Sequence, residues 1–233
     1  MTLLTIEQMV AGYGEIDIVT GIDIAVQEKE IVTVAGTNGA GKSTLAKAIM
    51  GLVPRCRGVL RFCGEDLLAL RPEDRIKVGV AYVPQVENVF PSLTIVENLQ
   101  VVVGVQNHAA RIAEMLDLFP ALAARRRVRA EALSGGERQQ LAFARALMTR
   151  PKMMLLDEPT AALSPNLVAQ VFDTIRKLPA IGVAALVIEQ RARQSLEISD
   201  RGYVLDSGKA VMSGAARDLL ADARMADLYL GGA

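Results

Sequence analysis

The feature that constrains this chain most is a glycine-rich segment at residues 36–44, which reads Gly-Thr-Asn-Gly-Ala-Gly-Lys-Ser-Thr. It follows an apolar run at residues 31–35 and precedes a run of helix-forming residues at 45–50. A strand, a tight glycine turn and a helix in this order are typical of a phosphate-binding loop, or P-loop. Glycines let the backbone wrap closely around an anion, and the helix N-terminus directs free N–H groups toward it.

The residues of this loop are predicted to contact a nucleotide phosphate chain. In this spacing Lys42 reaches the β- and γ-phosphates, and the Ser43 hydroxyl ligates Mg²⁺. The alternative is an ordinary glycine turn followed by a lysine, which the order Gly-x₄-Gly-Lys-Ser and its flanks disfavour. The predicted contact residues are Gly36, Thr37, Asn38, Gly39, Ala40, Gly41, Lys42, Ser43 and Thr44.

Composition excludes several classes of protein. The 26 Lys+Arg residues balance the 26 Asp+Glu residues, which argues against a general nucleic-acid binder because such proteins carry a basic excess. Two cysteines and one histidine cannot form an ordinary zinc site. No signal-like N-terminus and no apolar run of about 18–20 residues is present, so we expect a soluble chain, or one held at a membrane by a partner.

The predicted secondary structure divides the chain into three parts. The first third reads as β-rich, residues 92–150 read as helical, and the last third alternates strands with helices. We therefore expect a single domain over residues 1–233, with a nucleotide-binding core at 1–91 and 151–233. Residues 92–150 are predicted to form an inserted helical lobe.

A second candidate site follows the apolar run at residues 153–156, where Asp157 and Glu158 stand in succession. Ligands of open α/β sheets bind at the C-terminal ends of the strands. Asp157 is predicted to hold Mg²⁺, through water, opposite Ser43. Glu158 is predicted to orient or deprotonate the attacking water. The alternative, a strand that ends in two solvated acids, is weakened by the P-loop in the same chain.

A third segment, Leu133-Ser134-Gly135-Gly136-Glu137, begins a predicted helix. Ser134 and Glu137 have the spacing of a capping box. A capping box does not require two glycines, which cost helix stability, so Gly135 and Gly136 indicate a second anion-binding helix N-terminus.

These motifs together resemble the ATP-binding subunits of ABC transporters, and residues 133–137 are similar to the signature motif of that family. The resemblance extends over nearly the whole chain. It implies a P-loop NTPase of the ABC ATPase type, with α/β class, a mixed-sheet core, an antiparallel β subdomain and an inserted helical lobe. It also implies ATP and Mg²⁺ as cofactors and ATP hydrolysis coupled to transport.

The resemblance assigns further residues. Tyr13 corresponds to the A-loop aromatic residue that stacks on adenine, and Gln85 to the Q-loop glutamine that touches the metal and the attacking water. Residues 161–165 correspond to the D-loop. Two positions depart from the family pattern: Gln190 stands where a γ-phosphate-binding histidine is usual, and Ser164 replaces the D-loop aspartate. Glutamine can still donate a hydrogen bond but cannot titrate.

The most similar subfamily is the branched-chain amino acid uptake group, with a LivF-like subunit. In such proteins two ATP-binding subunits close head to tail, so each ATP lies between one P-loop and the signature of the other subunit. The implied partners are a second ATP-binding subunit, identical or paralogous, transmembrane permease subunits that dock near residues 85–99, and, indirectly, an external solute-binding protein. The implied location is the cytoplasmic face of the bacterial inner membrane.

Other functions remain open at this point. The same motor could serve urea, short amides or another polar solute, because the permease and the binding protein set the substrate. A soluble non-transport ABC ATPase usually carries coiled-coil arms or two cassettes, and a P-loop kinase or GTPase leaves the signature motif unexplained.

Overall fold

The computed structural model describes residues 1–86 and 88–225. Within these residues the chain forms two sheets flanked by helices. The strands are β1 (Thr2–Tyr13), β2 (Ile16–Gln27), β3 (Ile31–Gly36), β4 (Arg55–Phe62), β5 (Glu65–Asp66), β6 (Val80–Val83), β7 (Met153–Asp157), β8 (Ala184–Glu189), β9 (Arg201–Asp206) and β10 (Lys209–Ala215). The helices are α1 (Lys42–Ile49), α2 (Pro72–Lys77), α3 (Ile95–Gln100), α4 (His108–Leu118), α5 (Pro120–Ala124), α6 (Gly135–Leu147), α7 (Pro165–Arg176), α8 (Ala192–Leu196) and α9 (Ala216–Ala221).

The larger sheet is mixed and has the strand order β10-β9-β3-β8-β7-β6. Its strands from β9 to β6 are parallel to their neighbours, and β10 joins the edge in the antiparallel direction. The smaller sheet is antiparallel, with the order β2-β1-β4-β5. The predicted mixed core and antiparallel subdomain are therefore confirmed. The strands β3, β7 and β8 are buried along their whole length, as expected for parallel strands covered on both faces.

Two apolar cores lie on the two faces of the larger sheet, because alternate residues of a strand point to opposite sides. Met153 and Leu155 of β7 belong to one core, whereas Met154 and Leu156 belong to the other. Helix α1 and the antiparallel sheet fill the first core, and α6 and α7 fill the second. The P-loop helix and the helix that begins at the signature motif are thus on opposite faces.

Helices α3 to α6 lie within residues 92–150, the range predicted to form an inserted helical lobe. Helix α3 ends at Gln100, although the helical prediction covers all of residues 92–150. Three consecutive valines at positions 101–103 disfavour a helix, and Gly104 then adopts a positive φ of 79°. Capping at the start is strong, since Thr94 and Glu97 form a complete capping box.

Several elements escaped the sequence interpretation. The short helices α2, α5 and α8 and the hairpin of β9 and β10 were not predicted from the sequence. Helices of five or six residues show little periodicity, so tertiary contacts decide them. Among the described residues, none of the helices is long and apolar enough to cross a membrane.

Candidate functional site

The P-loop runs from the end of β3 into α1, as the sequence predicts. Gly41 is the N-cap of α1 and has a left-handed φ of 96°, a conformation in which a Cβ is unfavourable. Its carbonyl accepts the N–H of Leu45 at 2.9 Å, and the Ala40 N–H is bonded to the carbonyl of Thr37 at 3.2 Å. Thr37, Asn38 and Gly39 are exposed at the tip of the loop, so their backbone is accessible to a ligand.

The turn between β9 and β10 is hydrogen-bonded to the P-loop and supports it. The N–H of Gly208 is bonded to the carbonyl of Ala40 at 3.1 Å, and the Gly208 carbonyl accepts the Thr20 N–H at 2.8 Å. A Cβ added to Gly208 would lie 2.0 Å from the carbonyl oxygen of Ile18. Gly208 therefore joins the P-loop to strand β2, a role that sequence reasoning missed because the three segments are far apart in the chain.

The side chain of Lys42 lies almost fully buried within the loop. Its Nζ donates to the Thr37 carbonyl at 2.9 Å and pairs with Glu158 Oε1 at 3.5 Å. The second carboxylate oxygen of Glu158 accepts a hydrogen bond from Gln85 Nε2 at 3.0 Å. The structure thus brings together Lys42, Gln85 and Glu158, three residues that the sequence analysis placed at the site from separate segments.

Asp157 is buried beside Ser43 at the end of β7. Ser43 Oγ donates to Asp157 Oδ1 at 3.3 Å, and the Tyr82 hydroxyl donates to Oδ2 at 3.2 Å. Burial raises the pKa of the Asp157 carboxyl, although both hydrogen bonds oppose the rise. Burial, together with the neighbouring Asp157, also raises the pKa of Tyr82, so this phenol stays a donor. Tyr82 is a second residue that the sequence analysis missed; it reaches Asp157 because β6 and β7 are adjacent and in register.

The groups around Asp157 suit a magnesium ion. Mg²⁺ prefers hard oxygen ligands and is usually held by one or two protein groups together with water and phosphate. The Ser43 hydroxyl and the Asp157 carboxylate supply two such oxygens side by side. The amide oxygen of Gln85, whose Nε2 donates to Glu158, is a third candidate ligand.

Gln190 lies exposed at the end of β8, directly after the buried Glu189. The Glu189 carboxylate accepts hydrogen bonds from Thr160 Oγ1 at 2.6 Å and Thr160 N at 3.0 Å. Its other oxygen accepts the backbone N–H groups of Gln190 at 3.1 Å and Arg191 at 3.3 Å. Burial raises the pKa of Glu189 in spite of these four bonds. Glu189 therefore fixes the backbone at Gln190 relative to the turn after Glu158.

The signature segment starts α6 with the predicted capping box. Ser134 Oγ accepts the Glu137 N–H at 3.3 Å, and a carboxylate oxygen of Glu137 accepts the Ser134 N–H at 2.9 Å. Ser134 and Gly135 are exposed, whereas Gly136 is buried. A Cβ on Gly136 would lie 2.5 Å from Leu167 Cδ2, so close packing on α7 is one reason for this glycine.

Tyr13 lies at the end of β1, with 40% of its surface exposed. An exposed ring at a strand end is available for stacking. Ser164 is the N-cap residue of α7 and Pro165 is its first residue, but the Ser164 side chain makes no capping hydrogen bond. Leu163 in this turn contacts the signature segment, because a Cβ on Gly135 would be 3.1 Å from Leu163 Cδ2.

Comparison with known proteins agrees with this geometry. The family model described as ABC transporter matches residues 19–161, more than half of the chain. The chain belongs to the ABC transporter family. Within that family it is an ATP-binding subunit and an ATPase, which confirms the resemblance seen in its motifs.

Three ABC relatives match nearly the whole chain. A high-affinity branched-chain amino acid transport ATP-binding protein, BraG of Pseudomonas aeruginosa, is 38% identical over 99% of this chain and 100% of its own length. A probable branched-chain amino acid transport ATP-binding protein, LivF of Archaeoglobus fulgidus, is 41% identical over 95% of both chains. The lipopolysaccharide export ATP-binding protein LptB of Haemophilus influenzae is 32% identical over 99% of this chain and 98% of its own.

Solved ABC structures share the fold. A nucleotide-free ATP-binding cassette from an ABC transporter superposes with a TM-score of 0.86 at 26% identity, covering 100% of both chains. The ADP conformation of an ATP-binding cassette of an ABC transporter superposes with a TM-score of 0.83 at 28% identity, again over 100% of both chains. The predicted fold class is therefore confirmed, and nucleotide binding is a property of the cassette.

Proposed function

We propose that this ABC ATPase is the ATP-hydrolysing motor subunit of an importer for branched-chain amino acids. The convergence of Lys42, Gln85, Asp157 and Glu158 on one end of the parallel sheet carries the catalytic part of the proposal. The two relatives named for branched-chain amino acid transport support the substrate class.

The catalytic roles follow from the contacts of these side chains. Lys42 pairs with Glu158, and a triphosphate in the P-loop would compete for the same ammonium group. Glu158 is then freed to orient the attacking water and accept its proton, while Gln85 holds the carboxylate in place. Ser43 and Asp157, with Gln85, would hold Mg²⁺, which would supply neutralisation of the phosphate charge when bound. Gln190 donates to the γ-phosphate, and Tyr13 stacks on adenine.

The residues assigned so far would contact only one side of a bound nucleotide. Helix α1 and helix α6 lie on opposite faces of the large sheet, so Ser134, Gly135 and Gly136 are separated from the P-loop of their own chain by the sheet between them. A helix N-terminus with exposed N–H groups binds an anion. We infer that it binds the ATP of a second ATP-binding subunit, in a head-to-tail homodimer or heterodimer. The division into a core at 1–91 and 151–233 and a lobe at 92–150 belongs to this proposal.

A groove between the core and the helical lobe is the proposed site for the permease. It has a volume of about 510 Å³ and is mostly apolar. Several large apolar side chains in its lining are exposed, among them Phe90 at 48% and Val103 at 85%. Arg145 lies over the Phe90 ring at 4.6 Å from its centroid. Arg145 Nη1 donates to the Asn88 carbonyl at 2.5 Å, which holds this guanidinium against the wall of the groove.

The occupant proposed for this groove is a short cytoplasmic segment of a permease subunit. An exposed apolar patch of this kind marks an interaction site, and the relatives are named as transport proteins. The ATPase would then be held at the cytoplasmic face of the inner membrane by the permease, with an external solute-binding protein acting only indirectly.

The experiment uses a matched pair of valines. Val103 lies in the groove, and Val211 is exposed at 46% on β10, the opposite edge strand of the large sheet from β6. The tagged chain is purified from a mild detergent extract of its source cells, and co-purifying chains are identified by mass spectrometry. We expect multi-span permease chains with the parent and with Val211→Asp, and their loss with Val103→Asp. Equal recovery with both variants contradicts the docking site.

A second candidate function is a lipopolysaccharide export motor, favoured only by the full-length similarity to LptB at 32% identity. The higher identities, 38% and 41%, favour amino acid import. The two candidates differ in their partners. Radiolabelled leucine uptake by proteoliposomes that contain the purified complex and a solute-binding protein supports import, and ATPase stimulation by lipopolysaccharide without uptake supports export.

A further inference from the structure

Arg125 stands at the end of α5 and contacts the signature segment on both sides of its start. Its Nη1 donates to both carboxylate oxygens of Glu137, at 2.9 and 2.8 Å, and its Nη2 donates to the Ala132 carbonyl at 3.2 Å. Arg125 is the first member of the basic run Arg125-Arg126-Arg127. The structure shows that it is bonded to the residues around Ser134.

Glu137, the partner of Arg125, places a negative charge at the start of α6. Glu137 completes the capping box, so its carboxylate is fixed within the first turn of α6. The Ser134 backbone N–H and Arg125 lower the pKa of Glu137, which keeps the carboxylate ionised at neutral pH. A carboxylate stabilises a helix N-terminus. The same negative charge repels a triphosphate that approaches this N-terminus.

Arg125 is held in place before any ligand binds. The loop that carries it is bonded to the chain around the start of α3, by Val96 N to the Arg126 carbonyl at 3.2 Å and Ile95 N to the Val128 carbonyl at 3.1 Å. The Ala130 N–H is bonded to the Leu93 carbonyl at 2.9 Å. A guanidinium on a fixed backbone loses little entropy when it forms a bidentate pair.

We propose that Arg125 is a positioning residue for the signature motif, which orients the first turn of α6 and neutralises Glu137 so that this turn accepts the triphosphate held by a second ATP-binding subunit. The inference rests on the proposed composite nucleotide site. In this proposal Arg125 acts through Glu137 and Ala132 and not by binding the nucleotide.

The chain offers a close control. Arg127 is exposed, lies two residues further along the same loop and, in the part of the chain that the structure describes, forms no ion pair. Arg125→Gln and Arg127→Gln remove the same charge from the same loop. Only the first is expected to leave the Glu137 carboxylate unpaired.

The test measures ATP-dependent association in the Glu158→Gln background, as a homodimer or with the ATP-binding subunit that co-purifies. Analytical ultracentrifugation with Mg-ATP gives the dimer dissociation constant, and fluorescent nucleotide titration gives the affinity of the monomer. Arg125→Gln is expected to weaken the dimer by about tenfold or more, which corresponds to the loss of one charge-assisted pair. Monomer affinity is expected to stay within about twofold, and Arg127→Gln to leave both quantities within about twofold of the parent.

A charge-compensation variant separates neutralisation from simple loop support. Glu137→Gln keeps an oxygen for the Ser134 N–H and removes the charge, so the double variant Arg125→Gln/Glu137→Gln is expected to recover most of the lost association. Two results would overturn this inference and leave the composite site standing. One is a double variant whose dimer is as weak as that of Arg125→Gln, and the other is an Arg125→Gln dimer no weaker than that of Arg127→Gln. A parent protein that does not associate with Mg-ATP overturns the composite site and this inference together.

Discussion

At the scale of single residues, the site is organised by one ion pair. Glu158 has a left-handed φ of 46° and its N–H is bonded to the Ile188 carbonyl at 2.8 Å, so its side chain leaves the sheet at a fixed angle. This conformation is uncommon for a residue other than glycine and often occurs at functional sites. The backbone thus directs the carboxylate toward Lys42 and Gln85, which is the arrangement a general base for water requires.

We predict that Glu158→Gln leaves nucleotide binding intact and slows ATP turnover by at least about 10²-fold, because an amide cannot accept the proton. Steady-state phosphate release and nucleotide titration measure the two quantities on the same preparation. An ATPase rate near that of the parent contradicts the assignment of Glu158 as the base. Glu131, an exposed residue in another part of the chain, is changed to Gln as the control for a lost surface carboxylate.

At the scale of elements, the P-loop depends on a junction of three segments. The β9–β10 turn, strand β2 and the loop itself meet at Gly208, which has a φ of 78° and no room for a side chain beside Ile18. The turn donates a hydrogen bond to Ala40 inside the loop, so a shift of the turn displaces the phosphate-binding backbone. The β9–β10 turn and strand β2 therefore support the P-loop, although neither carries a predicted ligand of the nucleotide.

We predict that Gly208→Ala destabilises the protein by about 2 kcal/mol or more, from the positive φ and the close contact together. For a chain of this size that lowers Tm by roughly 4–8 °C, and ATP affinity falls at least severalfold with it. Gly214→Ala is the matched control, because a Cβ there meets open space and its φ is not in the positive range. Calorimetry and nucleotide titration of both variants check the prediction; equal Tm values for the two contradict it.

At the scale of the whole molecule, the sheet separates two anion-binding surfaces. The P-loop helix contributes to one apolar core and the signature helix to the other, and the strands β3, β7 and β8 lie between them. In the proposed composite site, the second wall of the nucleotide pocket comes from another subunit, so assembly and hydrolysis would be linked.

We predict that Ser134→Arg abolishes ATP-dependent association and leaves nucleotide binding to the monomer unchanged. Ser134 is exposed at the start of α6, so a large side chain is accommodated by the monomer and obstructs a second subunit. Light scattering after size-exclusion chromatography with Mg-ATP measures the association. Dimers that persist in this variant contradict the head-to-tail arrangement. Ser213→Arg, at an exposed position of the edge strand β10 that carries no signature residue, is the control.

The sequence by itself determined the parts of this protein that depend on local order along the chain. Strand, glycine turn and helix at residues 31–49, the acidic pair after β7, and the capping box at Ser134 were all readable, because backbone geometry and spacing dictate them. The fold class followed from the same motifs. The order of the strands in the sheet, and hence which segments become neighbours, cannot be predicted from any short stretch of sequence.

Only the tertiary structure decided the contacts between distant segments. Tyr82 reaches Asp157 because β6 and β7 are adjacent, Gly208 supports Ala40 across more than half of the chain, and Arg125 meets Glu137 because α5 and α6 are packed together. The short helices α2, α5 and α8 also depend on such packing, since helices of this length are not stable alone. The physical reason is that local sequence fixes backbone conformation, whereas long-range burial selects which side chains meet.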